Sequence, residues 1–416
     1  THSWIGGSGN WSDTNHWDTG IVPSATDNVL ITGSGTYTVT LDMDTSIVNI
    51  TIGGSSGIQS LNISGRTSTI NGTATITDSG QVNLVNCTLN GAGLISNSGN
   101  FSMIIGTLDL PFDNAGFASF SRTCNINNTL TTQPGSTLRI YTEHYNPAIL
   151  TVADGFSNNG LLQFVTVAQN AHARLDVSNG TLTNVPGATI EVNHADYPNQ
   201  LNAQLDNQGT LVLNDELTIN KPSAAHTNSG TLAISGGNLV ISQTGTNPSF
   251  TQTGTLTVDS ARALTVNGGL FDYSSGSFTL NGSFTANTAT VNFTPSFINT
   301  TRMNINGSTL TCNAPFSNQG LLNLSSSTIN GSGTFDNQDT LSVLYGTFDL
   351  PFDNAGFASF SRNCYINSSL TTQTGSTLRI YTEHYNPAIL TVADSFTNNG
   401  LLQFVTVYQN AHARLD

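Results

Sequence analysis

One stretch of this chain is written twice. Residues 106–176 align without gaps to residues 346–416, with 9 differences over 71 positions, among them Leu108/Phe348, Asn125/Tyr365, Pro134/Thr374 and Ala168/Tyr408. The offset is 346 − 106 = 240 residues. A fixed internal period restricts a chain to arrays and solenoids before any local structure is considered.

Inside the long unit runs a shorter, degenerate motif of the form apolar-x-Asn/Asp-x-Gly-x-apolar-x-apolar. It reads "ITDSGQVNL" from Ile76, "FDNAGFASF" from Phe112, "FSNNGLLQF" from Phe156, "LDNQGTLVL" from Leu205 and "FSNQGLLNL" from Phe316. Its first residue falls at 76, 95, 112, 130, 156, 182, 205, 226, 250, 271, 297, 316, 335, 352, 370 and 396, in steps of 17 to 26 residues. Asn/Asp followed by Gly supplies a turn, because both tolerate left-handed backbone. The alternating stretch that follows puts every second side chain inward, as a strand requires. One such coil cannot bury its own apolar face, so coils must stack, and stacking makes a continuous core. The expected fold is all-β, a right-handed parallel β-helix (β-solenoid), since steps this variable disfavour the left-handed type built on strict hexapeptides. Residues 1–56 read as a Trp-rich capping segment with the first coils, and 57–416 as one continuous solenoid.

Composition then limits the partners. Lys+Arg total 10 against 25 acidic residues, for a net charge of −15, and Lys221 is the sole lysine. No basic stripe is available to neutralise phosphates, so nucleic acid is not an expected partner. No run of 18 apolar residues is present to span a bilayer, and membrane insertion is not expected. Hydrophobic residues still make up 37%, enough for a packed core.

A solenoid has two open ends that would recruit foreign strands unless capped. All three tryptophans, Trp4, Trp11 and Trp17, lie in "SWIGGSGNWSDTNHWDTGIVPSATDNVLI" at the start. They read as an aromatic plug on the first coil, the sharper alternative being a platform for stacking sugars. That opening, followed by Asn-x-Gly-x-Leu coils, resembles large bacterial secreted and surface β-solenoid proteins of the autotransporter and filamentous-haemagglutinin-like adhesin kind. The resemblance implies an extracellular or cell-surface location and a role as adhesin, stalk or matrix fibre, with no catalytic residue to carry over. At the other end Asp416 answers to Asp176, after which the first copy continues its coil, so the expectation is a fragment of a longer array or an end that meets another subunit.

Chemistry-bearing residues are few. Cys87, Cys124, Cys312 and Cys364 are even in number, but the coil assignment puts Cys87 and Cys124 two coils apart, roughly 9–10 Å, and Cys312 and Cys364 three apart. That exceeds disulfide reach, which favours buried free thiols. The coils from Leu130, Phe156 and Leu182 are long, and their extra length lies in "YTEHYNPA", "VAQNAHAR" and "VNHADYPNQ". Three loops should therefore stack on one side and gather Glu143, His144, Tyr145, His172, Arg174, His194 and Asp196. The second copy repeats Glu383, His384, Tyr385, His412 and Arg414. A carboxylate with imidazoles could serve acid–base chemistry or a metal, yet the duplication preserves the surrounding "GSTLRI" and "LLQFVTV" equally well. The ridge is expected to be a lateral-contact or glycan-binding surface, with no catalytic residue, metal or cofactor. Asp42 and Asp44 read as a solvated turn. The sequence as a whole points to a non-enzymatic structural or adhesive protein that self-associates end to end or laterally, or binds surface glycans; the alternative is a carbohydrate-active or glycan-binding β-helix using the ridge.

Overall fold

The computed structural model describes every residue except 144, 168–169, 194–196, 384 and 408–409. It is all-β apart from one 3-10 turn at Thr14–His16, with parallel strands stacked as a β-solenoid of about 18 turns. The chain forms two compact units, Thr1–Thr218 and Ile219–Asp416.

In the first unit one face is a seven-stranded parallel sheet. It runs His2–Ser3, Asn28–Ile31, Asn49–Ile52, Thr73–Ile76, Leu94–Asn97, Phe112–Asn114 and Leu130–Thr132, each strand one coil after the last. In the second unit the corresponding short strands are Phe297–Asn299, Phe316–Asn318, Phe335–Asn337, Phe352–Asn354 and Leu370–Thr372. Their register is exact in sequence terms: Phe297, Phe316, Phe335, Phe352 and Leu370 stand in one column. Neighbouring rings in that column have centroids 5.7, 5.6 and 5.3 Å apart, within the range where aromatic pairs add to plain burial.

The column beside the rings is polar and completely buried. Asn318 Nδ2 donates to Asn337 Oδ1 at 2.8 Å and to the Thr340 carbonyl at 2.9 Å, while Asn318 Oδ1 accepts from Asn299 Nδ2 at 2.7 Å. Asn337 passes the pattern to Asn354 at 2.8 Å. The first unit repeats it from Asn158 to Asn184 to Asn207, at 2.9 and 2.7 Å. Asn318 and Asn337 thus spend both their hydrogens and their oxygen on groups in neighbouring coils, which is what allows them to be buried at all, whereas Asn158 Oδ1, at the start of the first-unit run, is buried without a partner. Thr132 and Thr372 interrupt the ladder; the Thr132 hydroxyl instead accepts from the Asn159 backbone N–H at 2.8 Å.

These contacts correct the physical reason given for the motif. Its Asn does not turn the chain; it faces inward and stacks. Its Gly is not left-handed either: a Cβ on Gly320 would lie 2.2 Å from the Thr301 carbonyl oxygen, and one on Gly116 would lie 2.4 Å from that of Gly99. Glycine is required there because the preceding coil passes directly beneath. Left-handed residues do exist, but at another corner, where Asn86, Ile105 and Arg122 have φ of 52, 58 and 54°. Ile105 is a β-branched residue in a conformation that costs about 1–2 kcal/mol, held by the strands on either side.

Two steps of the sequence-derived register are also corrected. Ile95 pairs with Ala74 rather than Ile76, so Asn97 stacks over Ile76 and begins the ladder, its Oδ1 buried without a partner. Phe271 pairs with Val291, a step of 20 residues (291 − 271), and the strand at Phe297 opens the short-strand sheet of the second unit.

The indoles of Trp4, Trp11 and Trp17 are all buried, with Trp17 meeting Trp4 and Trp11 edge-on at 5.0 and 4.9 Å. Trp17 Nε1 donates to the Trp11 carbonyl and Trp4 Nε1 to the Gly7 carbonyl, both at 2.9 Å. They are core residues of the first coils, with no ring face open for a sugar. Beneath Trp11 lies an apolar void of about 30 Å³ among Leu41, Ile47, Ile50 and Phe101, about one water molecule in size but lined by carbon.

Asn318→Ala would strand the carboxamides of Asn299 and Asn337 in an apolar interior, a loss of about 1–3 kcal/mol. Denaturant unfolding of that variant is expected to shift to clearly lower midpoint, whereas the exposed Asn313→Ala stays within about 0.5 kcal/mol of the parent.

Candidate functional site

In ordinary coils the corner after the long sheet takes a single left-handed residue. Ile104 pairs with Ser121, and the next residue, Arg122, makes the turn. One coil later Phe120 pairs with Ile140 before the corner and Thr123 with Ile149 after it. The tight corner is therefore replaced by the loop at 142–147. Tyr141 stacks on Val165 and Val165 on Asn193, while Ala148 stacks on Ala173 and Arg174 on Gln200. Three overhangs thus leave the first unit at one corner on consecutive coils, as the loop lengths in the sequence require.

Their feet are tied by buried side chains. Thr142 Oγ1 accepts from the Val167 N–H at 3.1 Å. Asn199 Oδ1 accepts from Thr166 Oγ1 at 3.0 Å and from the Ala173 N–H at 2.9 Å. In the second unit Thr382 repeats the first of these with Val407 at 3.0 Å. The bonds run from coil to coil, so each overhang is braced by the next.

The candidate residues fall on these overhangs unevenly. Glu143 is half-buried, and its carbonyl closes a local turn by accepting from the Asn146 N–H at 3.2 Å. Tyr145 is 72% exposed and Tyr385 is 73% exposed. Burial, helped by the charge of Arg174, pushes the His172 imidazole below the usual histidine range. Arg174 Nε donates to Asp176 Oδ1 at 2.7 Å along its own strand, and Arg414 makes the equivalent pair with Asp416. Glu383 is half-buried and His412 is exposed. His144, His194, Asp196 and His384 lie outside the described residues. The stacking brings Glu143, His172 and Arg174 to one corner, but both arginines are engaged by carboxylates two positions away in sequence. Among the described residues no three His, Cys, Asp or Glu side chains gather in a metal-holding group.

Elsewhere the polar residues are structural. Asp42 accepts from the Ser12 hydroxyl at 2.6 Å and the Ser12 N–H at 3.0 Å, and these bonds hold its carboxyl below the usual range. Asp44 accepts from the Thr67 N–H at 3.0 Å. All four cysteines are free and buried. Cys87 and Cys124 share one column, separated by Gly106, in agreement with two coils of separation. Cys87 Sγ bonds to the Ile63 and Val85 carbonyls at 3.0 Å, and Ser327, its counterpart 240 residues on, makes the same pair of bonds to Ile305 and Ser325 at 2.8 Å. The position selects a small side chain with one hydrogen to give. Burial pushes the thiols of Cys124 and Cys312 up to about 12 and that of Cys364 to about 11.

The sequence reading passed over His226, which fills the first apolar position of its coil and pairs with Phe250. Burial lowers its imidazole to about 4. It also passed over the corner residues Arg122 and Arg362, one coil before an inserted loop, and Tyr345, two coils before one. No helix among the described residues is long and apolar enough to cross a membrane. No family model, curated protein or solved structure matches the chain.

Two outcomes follow. A thiol-specific reagent at pH 8 should leave the native protein unlabelled and modify four thiols per chain once denatured, because all four are buried out of its reach and burial holds those of Cys124, Cys312 and Cys364 protonated. His226 is neutral when folded and takes a proton more readily when unfolded, so stability is lost as pH falls from about 6.5 toward about 4, by up to about 3 kcal/mol. In urea titrations His226→Phe, which repeats the neighbouring Phe250, should flatten that part of the stability–pH curve.

Proposed function

We propose that this chain is a non-enzymatic extracellular protein, structural or adhesive, serving as a module of a fibre, stalk or filament at a bacterial cell surface. The observation that carries the reading is the direction in which its polar groups are spent. The buried Asn299–Asn318–Asn337–Asn354 ladder and the Thr142, Thr166 and Asn199 ties all bond one coil to the next. A chain organised in this way gains stability by adding coils, each covering the last. The arginines of the overhangs, Arg174 and Arg414, serve neighbouring carboxylates, which suits a contact ridge better than an acid–base site. The partners that fit are further copies of such a stack, end to end or side by side, and surface glycans.

A glycan-binding or carbohydrate-active reading is favoured by one feature, the exposure of Tyr145 and Tyr385 on the overhangs. Negative-stain microscopy of the purified chain should show elongated particles or filaments; compact monodisperse globules would sink the proposal. If the ridge cleaves polysaccharide, Glu143→Ala together with Glu383→Ala abolishes that activity, and no cleavage over a broad glycan panel disposes of the enzymatic reading.

A further inference from the structure

The two copies of the duplicated unit differ at one corner in a way their near-identity makes conspicuous. Tyr345, one residue before the duplicated stretch, answers to Ile105, and Tyr365 answers to Asn125. Both tyrosines are open to solvent, at 48% and 42%. Tyr345 is the left-handed corner residue of its coil, at φ 55°, and Arg362 is the corner residue of the next, at φ 63°, since Leu344 pairs with Ser361. The Arg362 guanidinium carbon lies 5.8 Å from the centre of the Tyr345 ring. Tyr365 stands on the strand that leaves this corner, over Thr347, with Asn363 exposed between it and Arg362. The coil after that carries the Tyr385 overhang.

Arg362 is also spared the partner that the overhang arginines have. Acidic residues outnumber basic ones 25 to 10, yet among the described residues Arg362 makes no ion pair, and its Nε is buried without a hydrogen bond. A guanidinium left unpaired in an acid-rich chain, stacked against an exposed ring, is arranged for an anion from outside. Its planar fork matches a carboxylate in two parallel bonds. Flanking phenol rings offer flat apolar faces with a polar rim, suited to the C–H face of a pyranose. Thr347 and Asn363 supply hydroxyl and amide groups of the kind that bond sugar hydroxyls. A protein partner would instead call for a contiguous apolar centre, and here the rings are separated by polar side chains.

We infer that the Tyr345–Arg362–Tyr365 corner of the second unit binds a carboxylated sugar, with Arg362 taking the carboxylate and the two tyrosines the ring faces. This rests on the adhesive side of the proposed function and names its ligand class. The first copy, with Ile105 and Asn125 at the same corner, lacks the site.

The test titrates the whole chain by calorimetry with oligogalacturonate and, separately, with sialic-acid oligomers, using methyl-esterified oligogalacturonate as the neutral control. Binding to at least one acidic oligomer is expected, with esterification weakening the uronate arm. Arg362→Gln should weaken it about tenfold or more, the usual scale for a lost charge-assisted bond. Tyr345→Ile with Tyr365→Asn installs residues the same fold already carries in its first copy, and should weaken binding to a similar degree while the variant stays fully folded at the temperature of the titration. Arg122→Gln should leave binding intact. No binding to either acid, or equal binding by parent, Arg362→Gln and the double variant, overturns the inference, as does equal weakening by Arg122→Gln. Filaments without sugar binding would remove this inference and leave the proposed function standing; sugar binding by a chain that never assembles would do the reverse.

Discussion

The fold depends on a polar interaction placed where water cannot reach. An asparagine carboxamide has two donors and one acceptor with two lone pairs, and inside a protein each unsatisfied group is costly. In a stack of parallel coils the same residue recurs about 4.8 Å away, so one carboxamide can serve the next indefinitely. Asn299, Asn318, Asn337 and Asn354 do this, and the demand fixes register more tightly than apolar packing could. Slipping the coil of Asn318 by a single residue would break its amide contacts with Asn299 and Asn337 and also turn Phe316 outward. Ladder and ring column therefore enforce the same alignment.

Much of this was legible in the sequence, though partly for the wrong reason. The Asn-x-Gly repeat marks each coil, and the inserted lengths at 142–147 and 166–172 correctly announce stacked overhangs. What a single sequence could not separate is a glycine needed for left-handed backbone from one needed for closeness. Gly320 belongs to the second kind, since its constraint is the Thr301 carbonyl one coil away. The two register errors have the same origin. Ile76 and Phe271 each begin a passable copy of the motif, but strand pairing is decided by the neighbouring coil, and there Ala74 and Val291 fit.

The candidate ridge shows how duplication and chemistry can be confused. Glu143, Tyr145, His172 and Arg174 recur as Glu383, Tyr385, His412 and Arg414 because the whole unit recurs; of these, Arg174 and Arg414 are paired with local carboxylates, while Tyr145, Tyr385 and His412 stand exposed. The proposed sugar preference is read instead from the few positions that escaped copying. Ile105 against Tyr345 and Asn125 against Tyr365 fall beside one another on the same corner, which sequence spacing alone, at 20 residues, does not reveal.

Side-chain amide hydrogen exchange tests the central claim most directly, because it reads the ladder itself rather than the strands around it. With selectively labelled asparagine, the carboxamide protons of Asn318 and Asn337 should persist in heavy water long after that of the exposed Asn313 has exchanged. Exchange of all three at one rate would mean that the buried ladder does not form, and the account of this fold would fail with it.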